Sequence, residues 1–326
     1  MLTDPDKGPL VSIIIPCYNQ AGFLAEAIES ALSQTHRNMQ VVVVDDGSPD
    51  NTAQVVARYP GVRCVRQENR GLAGARNAGF HLSSGEYVIF LDADDRLTPN
   101  AVEAHLCCFA KHAEAGFVVG DIDHIAGDGS YRDSPRWPIV EANHYEELLK
   151  VNHVANTIAV MFRRSVIERV GGFNPFCSGA EDYEILLHAA RLFPSTHHRT
   201  VVAYYRRHAM NMSRNGALML RAIHRVMRLQ RGAVDGNPRL LNAYRRGELY
   251  WRDHFGAVTI KEVYVHLVRG DLRRSALAVA ALLWYVRGRL FVLPWKYRRL
   301  ALKAVRRRLG LAEKHEDCRA SSVLGR

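Results

Sequence analysis

The chain has 326 residues, of which 48% are hydrophobic and 24% charged, and it carries a formal net charge of +11. This length and apolar content predict a soluble protein with a sizeable buried core. The six cysteines form no Cys-x-x-Cys pair and lie mostly in apolar segments, which predicts free thiols in a reducing cytosol. The polar residues 1–8 predict no secretory signal.

The first elements predicted along the chain are a strand, a helix and a second strand. Residues 11–19 form an apolar run that ends after Pro16, because proline cannot donate a hydrogen bond to a sheet ladder. Apolar residues at helical spacing follow over residues 24–32. Residues 39–48 form the next strand and its turn, and either Ser48 or Asp50 is the candidate cap of the short helix that follows.

The alternation continues with a strand at residues 62–65, a helix at 72–83 and a strand at 88–91. Strands that alternate with helices predict an α/β fold, with a mostly parallel sheet covered by helices on both faces. Polar and charged residues gather where these strands end. In open α/β sheets this edge forms the crevice that binds ligands.

Three carboxylates, Asp92, Asp94 and Asp95, follow the strand at 88–91. Like charges this close repel unless a cation neutralises them. Asp92 and Asp94 share one face of an extended chain, a spacing that suits a hard divalent cation. The alternative is a solvated turn. A helix-loop-helix calcium loop is excluded, because Arg96 and Leu97 stand where it needs Asp or Asn and then Gly.

Seven segments in order carry a family resemblance. They are residues 15–19 (IPCYN), 44–48 (VDDGS), 69–79 (NRGLAGARNAG), 85–95 (GEYVIFLDADD), 171–173 (GGF), 181–183 (EDY) and 205–208 (YRRH). The chain resembles a family 2 glycosyltransferase with the GT-A fold, an enzyme that uses a nucleotide sugar. The resemblance covers roughly residues 10–215 and leaves the last hundred or so uncovered.

On the donor side, Tyr18 can stack on a nucleotide base or be an ordinary core tyrosine. Asp46 can accept from the base or ribose, and Asp45 can do the same or act as a structural acceptor. Arg76 can contact the nucleotide or pair with Asp45, Asp46 or Asp92. The resemblance implies that the nucleotide sugar contacts Pro16, Tyr18, Asn19, Asp45, Asp46, Arg76, Asp92 and Ala93.

The resemblance implies Mg²⁺ or Mn²⁺ as the cofactor, held on Asp92 and Asp94. Asp95 is either a third ligand or an acceptor behind the ligands. His208 follows a strand-like segment and can complete the metal shell or bind diphosphate, although a lone histidine is more often structural. The adjacent His197 and His198 lack metal-binding spacing and are interpreted as solvated.

Glu181 and Asp182 begin an apolar helix, where acidic residues are also favoured by the helix dipole. By resemblance, Asp182 is the general base that removes the proton of the acceptor hydroxyl, and Glu181 orients the acceptor. The resemblance further implies a single displacement that inverts the anomeric configuration.

The C-terminal residues 216–326 contain 24 of the 44 lysines and arginines but only 8 of the 33 acidic residues. Residues 216–232 and 239–252 are predicted helices, and the uncharged run 276–286 is too short to cross a bilayer. Residues 295–309 form a basic amphipathic segment of the kind that lies on anionic membranes. The alternatives are packing on the catalytic domain, dimerisation or a solvated face. Nucleic acid is excluded as a partner, since no such motif is present.

We therefore expect a catalytic domain over residues 1–215 and a basic helical region over residues 216–326. The predicted partners are a UDP, GDP or dTDP sugar, a saccharide or lipid-linked acceptor, and an anionic membrane surface. The predicted location is the cytoplasm, on the inner face of the cell membrane. Cell-surface polysaccharide or glycolipid synthesis is the expected role. The rival functions are a nucleotidyltransferase, whose basic loop after the first strand is absent here, and a non-catalytic scaffold.

Overall fold

The computed structural model describes residues 8–154, 156–208 and 211–286. The strands are β1 (Val11–Cys17), β2 (Met39–Asp45), β3 (Arg63–Arg66), β4 (Tyr87–Phe90), β5 (Arg96–Leu97), β6 (Phe117–Ala126), β7 (Tyr131–Asp133), β8 (Val160–Arg163) and β9 (Ser195–Arg207). The helices are α1 (Ala21–Leu32), α2 (Thr52–Val56), α3 (Gly71–Leu82), α4 (Ala101–Lys111), α5 (His144–Lys150), α6 (Arg164–Val170), α7 (Glu181–Leu192), α8 (Gly216–Val234), α9 (Pro238–Val268) and α10 (Leu272–Ala281). A π-helical turn, Leu282–Val286, continues α10.

The strands form one mixed sheet in the order β3-β2-β1-β4-β8-β6-β9-β5, with β7 paired to β6. The first four strands are parallel to one another, as their alternation with helices predicts. β8 then lies antiparallel to both β4 and β6, so the second half of the sheet departs from the parallel pattern. The α/β fold predicted from the sequence is confirmed, and the sheet is parallel in its first half.

The parallel half has helices on both faces because its strands are apolar on both faces. Along β2, Val41 and Val43 join the main core, while Val42 and Val44 pack with Ala75 of α3 on the other side. At Gly79 of α3, a Cβ would lie 2.3 Å from Ile14 Cγ2 of β1. Only a glycine therefore allows α3 to approach the sheet this closely.

The ends of β1 and β2 bring loops 18–20 and 46–51 together. Gly47 has a φ of +75°, in the left-handed region, and it turns the chain immediately after Asp46. Of the two candidate caps for α2, Asp50 makes the contacts: its carboxylate accepts from Thr52 N at 3.2 Å and from Ala21 N at 2.9 Å. One side chain thus fixes the start of both α1 and α2 beside the strand ends.

The C-terminal helices pack on the α/β unit. At Gly247 of α9, a Cβ would lie 1.8 Å from the carbonyl oxygen of Leu149 in α5. The backbones of α9 and α5 are therefore in close contact. Val226 and Met227 of α8 and Phe255 of α9 belong to the main core. α9 extends to Val268, well beyond the predicted end at residue 252.

Among the described residues, no helix combines the length and apolarity that crossing a bilayer requires. The predicted basic segment 295–309 lies outside the described residues. The alternative that part of the C-terminal region packs on the domain holds for α8 and α9. The division at residues 215 and 216 stays a prediction.

Candidate active site

A cavity of about 650 Å³ opens at the carboxyl ends of β1, β2 and β4. It collects side chains from loops that follow these strands, from the start of α7, and from α8 and α9. The residues on its donor side are Pro16, Tyr18, Asp46, Arg76 and Asp92. Asp94, Glu181 and Asp182 line the same cavity, so the predicted metal, donor and base residues meet in one place.

The first part of the donor side is Tyr18 beside Asp46. Tyr18 is half exposed at the cavity, which leaves a ring face available for a planar ligand. Asp46 is buried, and its Oδ1 accepts from Gln67 Nε2 at 2.7 Å and from the backbone N of Arg70 at 2.9 Å. These two bonds fix the carboxylate in the wall of the cavity.

Three of the predicted donor contacts do not line the cavity. Asp45, Asn19 and Ala93 are missing from the described residues that line the cavity. Asp45 is fully buried, and its carboxylate accepts from Ser48 N at 2.8 Å and pairs with Arg66 at 3.0 Å. Of the two roles open to Asp45 from the sequence, these contacts favour the structural acceptor.

Arg76 joins the donor side to the helix that carries the predicted base. Its Nη2 donates to Asp92 Oδ1 at 2.7 Å, and its Nη1 lies 3.9 Å from Glu181 Oε1. The guanidinium also lies over the Phe173 ring, 5.0 Å from its centroid. Burial acts to lower the pKa of Arg76, but the charges of Asp92 and Glu181 outweigh it and raise that pKa above its ordinary value. Of the alternatives predicted for Arg76, the structure contains the pair with Asp92.

Asp94 and His208 form the second pair at the cavity, with His208 Nε2 and Asp94 Oδ2 at 2.8 Å. The His208 ring stacks on Phe23 with centroids 5.3 Å apart, which orients the imidazole. Burial and then the charge of Asp92 raise the pKa of Asp94 above its usual range, against the contact with His208. The histidine that the sequence singles out is therefore in contact with a predicted metal ligand.

Asp95 points away from the cavity. It is buried, and its Oδ1 accepts from the backbone N of Arg206 at 2.7 Å. Burial, followed by the charges of Asp94 and Asp92, raises the pKa of Asp95 well above the ordinary value. The sequence predicts Asp95 as either a third metal ligand or a hydrogen-bond acceptor behind the metal ligands, and its position favours the second role.

Arg206, to which the sequence assigns no role beyond its place in the segment 205–208, contacts the turn after β4. It is fully buried, and its Nε donates to the carbonyl oxygen of Asp94 at 2.7 Å. Its Nη2 pairs with Glu26 Oε2 at 2.7 Å. Arg206 thus fixes the turn that carries the predicted metal ligands.

The side-chain atoms near the cavity include types that can bind a divalent cation. Asp92 and Asp94 offer carboxylate oxygens, the donor type that Mg²⁺ and Mn²⁺ prefer, and His208 adds an imidazole nitrogen, which suits Mg²⁺ less well. Burial and then the charge of Asp92 raise the pKa of Asp94, and a cation bound there would favour the charged form of this carboxylate. Within the described ranges, however, no three His, Cys, Asp or Glu side chains are grouped as a preformed metal cage.

Asp182 faces the cavity from the first turn of α7. Burial and then the charge of Glu181 raise its pKa to about 7, while Arg76 acts to lower it. Glu181 Oε2 accepts from the backbone N of Gly179 at 2.6 Å, which anchors the loop before the helix. A half-buried carboxylate with a pKa near neutrality has the proton affinity that a general base needs at physiological pH.

The interpretation of His197 and His198 as solvated is wrong. His197 Nε2 contacts Asp121 Oδ1 at 3.2 Å, and His198 Nε2 contacts His105 Nδ1 at 3.1 Å. Burial lowers the pKa of His198 to about 4, which keeps its ring neutral. The contacts join β9 to β6 and α4, far apart in sequence, so no local pattern marks them.

The far wall of the cavity comes from α8 and α9. Its side chains are Met219, Ile223, Trp251 and Phe255. Sequence reasoning assigned no function to these residues, because the resemblance ends before them. Their helical spacing signals only a buried face.

Residues 12–171 match the family described as "Glycosyl transferase family 2". The chain is 34% identical over 194 residues to the chondroitin synthase of Escherichia coli, a match that covers 58% of this chain. It is 33% identical over 187 residues to the hyaluronan synthase of Pasteurella multocida, covering 56% of this chain. The chain spans only 28% and 19% of the length of these two relatives.

Two solved structures resemble the chain over most of its length. S. aureus TarS 1-349 in complex with UDP-GlcNAc has a TM-score of 0.62 at 17% identity, covering 93% of each chain. The mannosyltransferase PcManGT from Pyrobaculum calidifontis, in complex with GDP-Man and Mn2+, has a TM-score of 0.57 at 19% identity. That match covers 93% of this chain and 88% of the other. At these identities the likeness establishes the fold, which is GT-A.

Proposed function

Because residues 12–171 belong to glycosyl transferase family 2, we propose that the protein transfers a sugar from a nucleotide-diphosphate sugar to an acceptor hydroxyl. One observation carries the proposal: Asp182, with its pKa near 7, lines the same cavity as Tyr18, Asp46 and the Asp92–Asp94 turn. A base, a nucleotide pocket and candidate metal ligands around one space are the parts that this reaction requires.

The donor lies with its base against Tyr18 and within reach of Asp46. Stacking on the exposed ring supports the base, and the fixed carboxylate accepts from a base N–H or a ribose hydroxyl. TarS is described with UDP and UDP-GlcNAc, and PcManGT with GDP-Man. We therefore propose a donor of the UDP, GDP or dTDP type.

Asp92 and Asp94 would hold Mg²⁺ or Mn²⁺, with His208 as a third candidate ligand. When bound, the cation offsets the charge on the departing diphosphate. PcManGT is described with Mn2+, which supports the choice of ion. Asp95 and Arg206 fix the turn from behind, as the partners of metal ligands commonly do.

Asp182 is the proposed general base. It takes the proton of the acceptor hydroxyl as the oxygen attacks the anomeric carbon, on the side opposite the diphosphate. The C1–O bond to the diphosphate breaks in the same displacement, so the anomeric configuration inverts. Glu181 holds the preceding loop and Arg76, and through these contacts it orients the acceptor side of the cavity.

The biological role that we propose is cell-surface polysaccharide or glycolipid synthesis, as for the synthases that the chain resembles. We further propose that the protein binds the inner face of the cell membrane from the cytoplasm. The outward side of α10 and its π-helical turn supports this, since Leu272, Leu277, Leu283 and Trp284 are exposed there beside arginines 273 and 274.

The test is a thermal-unfolding series with UDP, GDP, dTDP and, as control, CMP, each with and without Mn²⁺. A ligand that binds only the native state stabilises it by about 2.7 kcal/mol at a hundredfold excess over its Kd. We expect one diphosphate to stabilise the protein, and only with the metal. The matching nucleotide sugar should then release nucleoside diphosphate. Release of pyrophosphate would indicate a nucleotidyltransferase, and the absence of any binding would indicate a scaffold.

A further inference from the structure

The cavity has an apolar end that the donor does not use. Met219 and Ile223 come from α8, and Trp251 and Phe255 come from α9. All four lie outside the residues that match the family. Since the donor side is built from the loops after β1, β2 and β4, these helices form the opposite wall of the cavity.

Trp251 is tied directly to the helix that carries the proposed base. Its Nε1 donates to the Tyr183 hydroxyl at 3.3 Å, and that hydroxyl donates to the carbonyl oxygen of Leu148 at 2.6 Å. The rings of Trp251 and Tyr183 meet edge to face, with centroids 5.5 Å apart. Because Tyr183 directly follows Asp182, these contacts fix the indole relative to the base.

The indole is also held within an aromatic stack. Trp251 lies almost parallel to Phe255, with ring centroids 5.5 Å apart and an interplanar angle of 10°. Tyr250 packs edge-on against the same indole at 4.9 Å. A rigid aromatic surface of this kind suits a ligand that presents an apolar face and keeps its polar groups at the rim.

The apolar surface continues behind the wall. Ile223 and Trp251 also line a second, small cavity of about 20 Å³, where Leu220, Met227 and Tyr285 lie beside the polar side chains of His224, Glu248 and Arg252. Tyr285 belongs to the π-helical turn after α10 and adjoins the exposed Trp284. Apolar side chains therefore extend from the far wall of the main cavity towards the exposed surface of α10.

The loop before α7 is pinned to the same wall. Gly179 has a φ of +95°, and a Cβ there would lie 2.6 Å from Leu218 Cδ2 of α8. Arg225 of α8 donates to the carbonyl oxygen of Phe176 in this loop. A shift of α8 would thus move both the wall and the loop that leads to Glu181 and Asp182.

We propose that α8 and α9 form the acceptor subsite, and that the acceptor is a glycoside with an apolar aglycone. Its sugar ring packs on Trp251 with a hydroxyl directed to Asp182, and its aglycone packs on Met219 and Ile223. Met219, Ile223, Trp251 and Phe255 carry no charge, so an acceptor that presents only polar groups to them would lose hydration without compensation. This inference rests on the proposed function, because it assigns the second substrate of the same site.

The experiment compares an octyl glycoside with the corresponding free sugar as acceptors, using the donor identified by the binding series. We expect a lower KM for the octyl glycoside, by at least about tenfold, the discrimination that apolar pockets commonly reach. The double variant Met219→Ala/Ile223→Ala should raise the KM of the octyl glycoside and leave that of the free sugar nearly unchanged. Leu229→Ala, an exposed position on α8, is the matched control and should change neither KM.

Trp251→Phe keeps a ring in the wall but removes the hydrogen bond to Tyr183, so it separates stacking from positioning. We expect its KM for the octyl glycoside to rise less than that of Trp251→Ala. Equal KM values for the two acceptors, or a double variant that behaves like Leu229→Ala, would overturn the acceptor assignment while donor binding stands. A wild-type protein that binds no nucleoside diphosphate by calorimetry would instead overturn the proposed function itself.

Discussion

Arg76, which is fully buried, and Asp92, which is partly exposed, form an ion pair in the cavity wall, with Nη2 and Oδ1 2.7 Å apart. The same guanidinium faces Glu181 at 3.9 Å and acts to lower the pKa of Asp182. The positive charge of Arg76 therefore acts on Asp92, on the proposed donor side, and on Glu181 and Asp182, on the proposed acceptor side. The two halves of the site are coupled through its charge.

Replacing Arg76 by methionine tests this coupling through stability. Removing one member of a buried pair leaves the other charges unpaired, which typically costs about 3–5 kcal/mol. We expect Arg76→Met to lower the free energy of unfolding in urea by about 3 kcal/mol, the low end of that range, because Asp92 is partly exposed. Arg274→Met, which removes an exposed pair with Asp271 on α10, is the control and should change it by less than about 1 kcal/mol. Equal effects from the two variants would contradict a central role for Arg76.

The pH dependence of transfer should report Asp182. A general base acts in its deprotonated form, so kcat/KM should rise with pH through an apparent pKa near 7 and then level off. Arg76 lowers this pKa, so the inflection should move to higher pH in any Arg76→Met protein that folds. Asp182→Asn should cut turnover by about 10²–10⁴-fold, a typical range for the loss of a general base. Turnover near that of the wild type would remove Asp182 from the mechanism.

The strands of the parallel half and their acidic ends could be predicted from the sequence, because each depends on neighbouring residues. An apolar run followed by Asp92 and Asp94 predicts both a strand and a candidate metal site at its end. The contacts that decide between the alternative roles of a residue join segments that are far apart in the sequence. Nothing local shows that Asp45 is bonded inside the wall while Asp46 faces the cavity, since they are adjacent in one motif.

Long-range contacts also explain why the prediction that His198 is solvated is wrong and why the sequence predicts no role for Trp251. His198 is neutral because α4 covers it, and Trp251 contacts Tyr183, next to the proposed base, because α9 packs on α5. Both depend on contacts between segments more than 60 residues apart. Spacing within one helix or strand carries no information about them.

Asp94→Ala should remove metal-dependent donor binding without unfolding the protein. The reason is electrostatic: burial and Asp92 already disfavour the charged form of Asp94, so deleting it relieves repulsion in the folded state. Calorimetry with the stabilising nucleoside diphosphate and Mn²⁺ is the measurement. Asp128→Ala, in the exposed turn between β6 and β7, is the control and should bind as the wild type does. Unchanged affinity in Asp94→Ala would exclude Asp94 as a ligand.

Arg206→Lys should weaken metal-dependent binding without removing a ligand. Lysine keeps the charge but cannot reach Asp94 O, Gly127 O and Glu26 at once, as the guanidinium does. Loss of a partner behind metal ligands typically reduces metal affinity by about 10–100-fold. A Mn²⁺ titration at saturating nucleotide measures this. Glu26→Gln removes one charge from the same network and should give a smaller loss, whereas equal and negligible losses would show that the turn does not need this support.

The exposed side of α10 is the part of the proposed membrane surface that the structure describes. Leu283→Gln/Trp284→Gln should reduce co-sedimentation with phosphatidylglycerol vesicles, because apolar burial and basic charge both contribute to binding at such surfaces. Leu229→Gln, at an exposed position on α8, is the matched control. Deleting residues 295–326 should reduce binding further and make what remains less sensitive to salt. Full binding by both the double variant and the deletion would contradict a membrane contact through α10 and the C-terminal residues.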